Sequence, residues 1–332
     1  EDLGMKVFVT GGAGYIGSHV VRLLVRDGHE VLVYDDLSSG HPEAVGSTRV
    51  EVGDIRDEAH LKRILSLYKP EAVMHFAGLI QAGESVVQPG PYYDTNVVGG
   101  LSLLRAMTES GINHIVFSSS AAVYGTPTEV LIPETHVTVP INPYGHTKLT
   151  FEHMLSDFSR AFGLGFVSLR YFNAAGADPE GDIGEDHPAE SHLIPLMLKA
   201  ALGQRPVLKI FGDDYDTPDG TCIRDYVHVT DLAEAHLLAL EALSEGTGRT
   251  YNVGTGRGYS VKEVVDAAGK VVGKAIPCQV APRRPGDPPR LVAAGDRIRR
   301  DLGWSPRLSD LKDILRTAWR WHRSHPDGYG TS

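Results

Sequence analysis

Cysteine is close to absent from this 332-residue chain: Cys222 and Cys278 stand far apart and in no metal-like spacing. That excludes a disulfide framework and fits thiols kept reduced, so a cytoplasmic setting is expected. No apolar run reaches the roughly 20 residues of a membrane-spanning helix, and no membrane association is expected. Positive charge is in short supply: 32 Lys and Arg against 42 Asp and Glu leave a net charge of −10. This argues against nucleic acid and acidic membrane surfaces as partners. A small anionic ligand stays open, because a few local basic residues suffice to meet phosphates. The fifteen histidines are scattered without a His-x-x-x-His repeat, and no metal site is expected. Internal repeats and low-complexity tails are also missing. Residues 1–4 precede Met5 and read as a remnant outside the fold. The strand-like KVFVT follows at once, and no signal peptide is expected.

What is present is the composition of a globular protein, 42% hydrophobic and 22% charged. The length allows one large domain or two ordinary ones. In the first half, short β-branched runs alternate with longer amphipathic stretches. Strands are expected at Lys6–Thr10, Glu30–Asp35, Arg49–Val52, Ala72–Phe76, His114–Ser118 and Gly165–Arg170. Helices are expected between them at Tyr15–Asp27, Glu58–Tyr68, Pro91–Glu109 and Asn142–Phe162. The alternation implies a parallel sheet covered by helices on both faces, and the near-continuous apolar strands agree. The fold class is α/β: a doubly wound parallel sheet of Rossmann type, with a smaller α/β substrate-binding region. Beyond about residue 174 the chain turns rich in Gly, Pro and Asp. Residues 5–174 are assigned to the first domain and 175–332 mainly to the second. Residues 224–253 read as a strand and a helix capped by Thr230 or Asp231, expected to return to the first sheet. Trp304, Trp319 and Trp321 are expected to pack the C-terminal helix.

The run VTGGAGYIGSH closes the first strand and opens the first helix. Gly12, Gly14 and Gly17, or Gly11, Gly14 and Gly17 in the wider-spaced variant, fit a dinucleotide fingerprint. The glycines permit a tight turn and close approach of a pyrophosphate, which then meets unpaired N–H groups of the helix. Asp35 ends the second strand 18 residues after Gly17, close to the roughly 20 expected for the ribose-binding acid. A carboxylate there repels a 2′-phosphate, so NAD is favoured over NADP, and Asp36 adds negative charge. Asp54 and Ile55 end the third strand within reach of an adenine. The run His75–Gly78 ends the fourth strand with small residues; Ser118–Ser120 end the fifth with hydroxyls. In NPYGHTK, Tyr144 and Lys148 lie four apart, on one face of a helix. An ammonium beside a phenol favours the phenolate, which makes a candidate proton acceptor. All these positions converge on the carboxyl edge of the sheet, where such folds bind ligands.

These stretches, with YYDTNVVG (92–99), LRYFNAAGA (169–177), IFGDDYDTPDGTCIRDYVHVTDLA (210–233) and APRRPGD (281–287), resemble the UDP-glucose 4-epimerase family of extended short-chain dehydrogenases/reductases. The likeness runs from Met5 to about Tyr329. It implies tightly held NAD and a UDP-sugar substrate. Tyr144 would take the proton from the sugar 4-hydroxyl, Ser120 would bind that hydroxyl, and Lys148 would hold the nicotinamide ribose and lower the tyrosine pKa. It further implies cofactor contacts at Tyr15, Ile16, Ser38, Phe76, Ala77, Gly78, Asn96, Ser118, Tyr171 and Phe172. On the substrate side it implies Arg224 and Arg284 for the diphosphate, Asp287 for the uridine ribose, Phe211 and Tyr226 for the nucleotide, and Asn173 for the diphosphate or sugar. His192 and Leu193 border the same site by this likeness. Leu291 falls where the family carries a size gate for an N-acetyl group, and a leucine would admit one. Ile80 and Gln81 replace the usual lysine region, and His192 replaces an asparagine. A dehydratase would want carboxylates after the serine run, where Ala121 and Ala122 stand. A uronate epimerase and a non-catalytic NAD sensor are the alternatives. A homodimer through Pro91–Glu109 and Asn142–Phe162 is expected.

Overall fold

The computed structural model describes residues 4–284 and 287–330. Strands β1 (Lys6–Thr10), β2 (Glu30–Asp35), β3 (Arg49–Val52), β4 (Ala72–His75), β5 (His114–Ser120) and β6 (Gly165–Tyr171) enter one sheet. Three short strands follow, β7 (Asn173–Ala175), β8 (Leu208–Phe211) and β9 (Ile223–His228), and then β10 (Gly248–Val253). The remaining strands are β11 (Gly258–Ser260), β12 (Cys278–Ala281) and β13 (Arg290–Leu291). The main sheet runs β10-β6-β5-β4-β1-β2-β3, all parallel. Its order reverses between β1 and β4, which opens a crevice beyond the strand ends there.

The strands alternate their side chains between two cores. Val7 and Val9 join one, with helices α1 (Tyr15–Arg26) and α8 (Val229–Glu241) against it. Phe8 joins the other, under α2 (Glu58–Tyr68), α5 (Gly100–Glu109) and α6 (Pro143–Phe162). Both faces are therefore covered, and the apolar strand runs follow from that. Helix α6 starts where Asn142 accepts from the Gly145 N–H at 2.9 Å with Pro143 in the first turn, and it stops at left-handed Gly163.

Several elements differ from the sequence reading. The stretch expected as a helix over Pro91–Glu109 is helical throughout but not regular: it runs from the end of α4 (Pro89–Tyr92) through a π-helical segment Tyr93–Gly99 into α5, and a further short helix, α3 (Ala82–Val87), precedes it. Pro89 and Pro91 sit in the first turn of α4, and the wider π turn carries Asn96 inward. Within 224–253 only β10 lies in the main sheet; β9 joins β7, β11 and β13 in a second sheet. Helix α8 is capped by His228, whose ring accepts from the Thr230 N–H at 3.1 Å, and not by Thr230 or Asp231. Asp231 instead accepts from the backbone at Arg307 and Leu308. Trp304 packs in the first core, donating to the Asp231 carbonyl, while Trp319 and Trp321 belong to the C-terminal helix. The second region is completed by α7 (Leu193–Ala201), α9 (Val261–Val272), α10 (Asp296–Leu302) and α11 (Leu311–Ser324), with β12 paired to β8. No helix among the described residues is long and apolar enough to cross a membrane.

Candidate active site

One cavity of about 570 Å³ runs along the carboxyl edge of the main sheet into the second region. That size suits a small-molecule site. At one end the glycine turn forms its floor. Gly11 has φ +69, and a Cβ on it would strike the Ala77 backbone at 2.4 Å. A Cβ on Gly17 would strike the Gly11 carbonyl at 2.3 Å, so helix α1 can only pack this close without one. Gly14, the N-cap residue, borders the cavity and leaves the helix start open to a phosphate. Asp35 accepts from the Ala13 and Leu37 N–H groups, one on each carboxylate oxygen. Each oxygen keeps a lone pair for a ribose hydroxyl. Burial pushes its pKa up, and those two N–H groups oppose the rise. Asp36 closes its own turn by accepting from Ser38. Tyr15, Ile16, Ile55, Phe76, Ala77, Gly78, Tyr171 and Phe172 line the same space. The glycine floor and the paired oxygens of Asp35 fit a dinucleotide with two free ribose hydroxyls.

The middle of the cavity holds the chemistry. Strand alternation sends Ser118 and Ser120 to the cavity and Ser119 away from it, where its hydroxyl donates to Glu152 at 2.6 Å. The Tyr144 phenol is buried beside Ser120. Its backbone N–H donates to the Ser85 hydroxyl at 3.1 Å, which locks the start of α6 against α3. Burial raises the Tyr144 pKa, and the Ser120 hydrogen bond pulls it down. Lys148 lies behind the cavity wall, 5.9 Å from the centre of the Tyr144 ring, with its ammonium donating to the Ser118 carbonyl at 2.9 Å. Burial drops its pKa to about 8, against the pull of Glu152. The lysine thus acts on the phenol through space, and the protein alone leaves the phenol pKa raised, contrary to the lowering expected from the sequence. At an effective dielectric of about 20, a charge about 6 Å away is worth roughly 3 kcal/mol, so the ammonium offsets part of the burial penalty.

The far end is built by the second region. Phe211 ends β8, Arg224 and Tyr226 lie on β9, and Asn173 opens β7 opposite Tyr226. The Arg284 guanidinium sits over the Phe211 ring at 4.1 Å. Arg224 pairs with Asp287 and donates to the Pro288 carbonyl at 2.8 Å. His192 and Leu193 complete the wall at the start of α7. Two arginines and an aromatic face make a place for a nucleoside diphosphate.

Four of the expected residues stand outside the lining. Asp54 is held in a fork by Arg56. Asn96 sits behind the β4 turn: its carbonyl accepts from Leu79 N–H at 2.8 Å and its amide donates to the Leu79 carbonyl and to Thr147. Lys148 is behind Ser118. Leu291 packs against Ala121, Val123, Tyr124 and Ile132. The sequence reading missed Glu84, Tyr92, Thr95, Glu185 and His187 in the wall. Glu84 lies on the short α3, and Tyr92 and Thr95 lie at the π turn, whose irregularity no periodicity announces. Glu185 and His187 lie on a loop.

Residues 7–254 match the NAD dependent epimerase/dehydratase family. The chain is 51% identical over 328 residues to the UDP-glucose 4-epimerase of Halalkalibacterium halodurans, covering 98% of both chains. It superposes on the Brucella ovis UDP-glucose 4-epimerase, crystallised with NAD, with a TM-score of 0.91 at 49% identity, over 95% of this chain and 98% of that one. For the Bifidobacterium longum enzyme in complex with NAD+ and UDP the TM-score is 0.94 at 40% identity, over 98% and 100%.

Proposed function

The chain belongs to the NAD dependent epimerase/dehydratase family, and from that membership and its site we infer that it interconverts UDP-glucose and UDP-galactose at sugar C4. The observation that carries this reading is one continuous cavity. It places Tyr144 and Ser120 between a dinucleotide floor and a diphosphate end bearing Arg224 and Arg284. NAD+, which Gly11, Gly14 and Asp35 would hold, would supply reversible hydride acceptance at sugar C4. The Tyr144 oxygen takes the 4-hydroxyl proton and later gives it back. Ser120 holds that hydroxyl and stabilises the phenolate by hydrogen bonding. Lys148 adds positive charge from behind. Arg224 and Arg284 grip the diphosphate while the sugar turns over, and Asp287 receives the uridine ribose. No carboxylate follows the serine run, so the elimination step of a dehydratase lacks its acid and base.

The test needs no second substrate. Purified protein incubated with UDP-galactose alone yields UDP-glucose; no product from protein with NAD confirmed in it would refute the sugar assignment. Tyr144→Phe should cut the rate by about 10²–10⁴ while NAD stays bound. A non-catalytic NAD sensor would be indifferent to that change.

The substrate range extends to the N-acetylated UDP-sugars, because Leu291, at the position the family likeness gives to a size gate, is smaller than a tyrosine. UDP-N-acetylgalactosamine should be turned over by the wild type and refused by Leu291→Tyr. The working form is a homodimer in the cytoplasm. Val86, Val87, Tyr93 and Val98 are exposed apolar residues on the elements preceding α5, beside α6. A mass near 36 kDa in light scattering, that of one chain, would overturn the dimer.

A further inference from the structure

One cluster in the cavity wall has been given no part in the proton and hydride transfer. The loop before α7 reads Glu-x-His-x-x-Glu-x-His from Glu185 to His192. Glu185, His187, Glu190 and His192 each offer one ligand atom, and the four atoms all lie within 4.8 Å of one another. The His187 Nδ1 is 3.2 Å from a Glu190 oxygen and 3.5 Å from a Glu185 oxygen. The His192 Nδ1 is 3.8 Å from Glu190 and in direct contact with Glu185. A tetrahedral ion with ligands at about 2.0–2.1 Å has edges of about 3.3–3.4 Å between them. Three of these four separations straddle that value. The sequence reading sought histidines one helical turn apart and passed over this loop.

Charge and burial point the same way. The Glu185 and Glu190 side chains are 4% and 5% exposed. Among the described residues neither forms an ion pair with a lysine or arginine. Two buried carboxylates side by side require positive charge between them. Among the described residues, the ion pairs these two carboxylates form are with His187 and His192.

We propose that Glu185, His187, Glu190 and His192 bind one divalent first-row transition ion, with zinc the best match. Two imidazole nitrogens and two carboxylate oxygens suit zinc and not magnesium, which demands oxygen ligands and octahedral geometry. Four protein ligands leave no open position, which marks a structural ion. Its effect is to fasten the loop that walls the cavity. The His41 Nε2 donates to the Asp186 carbonyl at 3.2 Å, and Gln81 donates to the Ala189 carbonyl at 2.8 Å. The ion therefore stitches a segment already tied to both sides of the dinucleotide floor.

The probe is Zn2+ alone, titrated calorimetrically into chelator-treated, NAD-containing protein. One equivalent per chain is expected, and Co2+ in its place should give the intense visible bands of a tetrahedral site. His187→Ala and Glu190→Gln should each weaken binding beyond the roughly tenfold to hundredfold that loss of an outer partner costs. Circular dichroism and retained NAD would show that both variants still fold. Absence of stoichiometric Zn2+ binding by the wild type overturns the proposal, as does binding that survives in both variants. Because the readout is metal uptake, the outcome is independent of whether the protein turns over UDP-sugars.

Discussion

At the scale of single residues, the reacting phenol is governed by opposing effects, of which burial is the largest. Burial holds Tyr144 protonated; Ser120 and the charge on Lys148 favour its ionisation. The lysine can help only while it is charged, and burial has brought its pKa to about 8. Turnover should therefore fall as pH rises through about 8. In Lys148→Arg, whose guanidinium does not titrate there, that alkaline limb should disappear even if the rate is low. A pH–rate profile unchanged between the two would remove Lys148 from the ionisation. The same shift bears on stability. The folded pKa lies below the ordinary 10.5, so the unfolded chain binds more protons between about 8 and 10.5. Lysine burial costs stability in full below that window, and the cost fades as pH rises across it.

At the scale of elements, the π-helical segment Tyr93–Gly99 is the clearest case of an irregularity with a use. Its wide turn aims Asn96 at both backbone groups of Leu79, beside the Phe76–Gly78 run under the cofactor site. Gly78 is required there, since a Cβ would meet the Asn96 oxygen at 2.8 Å. Asn96→Ala strands the Leu79 groups and Thr147. The expected cost is about 1–3 kcal/mol, read from the denaturant midpoint, together with faster release of NAD. Unchanged NAD retention would limit Asn96 to stability. A regular amphipathic helix over this stretch was the natural reading, because apolar spacing reports burial and does not report an inserted residue in the turn.

At the scale of the whole molecule, a buried polar network ties the catalytic helix to the edge of the sheet. Arg170 on β6 forks onto Glu152 of α6, with bonds of 2.5 and 2.9 Å, and also reaches the Tyr124 hydroxyl at 3.0 Å. Tyr124 in turn donates to Asn252 on β10 at 2.7 Å. Glu152 is one turn beyond Lys148, so the network sets how far α6 leans toward the cavity. Arg170→Met leaves Glu152 charged and unpaired, and should cost about 3–5 kcal/mol in equilibrium unfolding. Adding Glu152→Leu should recover much of that loss. A single variant as stable as the wild type would show that the pair does not hold the helix.

Much of the sheet could be read directly from the chain, for a local reason. A strand buried on both faces must be apolar throughout, and a dinucleotide turn needs glycines at set spacings, so β1 to β6, α1 and the order of strand ends were legible as β-branched runs and Gly14–Gly17. Tyr144, Ser120 and Asp35 were legible because their motifs place them at strand ends or on a helix start. What the chain could not announce were relations between distant segments. The diversion of β9 into the second sheet depends on β7, β11 and β13 lying closer to it than β10 does. The gap between Lys148 and the phenol depends on a carbonyl of β5 taking the ammonium. The gathering of Glu185, His187, Glu190 and His192 depends on a loop path tied to His41 and Gln81. Local pattern settles which face of an element is buried; only the packed chain settles which groups share a space, because Coulomb and hydrogen-bond energies depend on distance through space and not along the sequence.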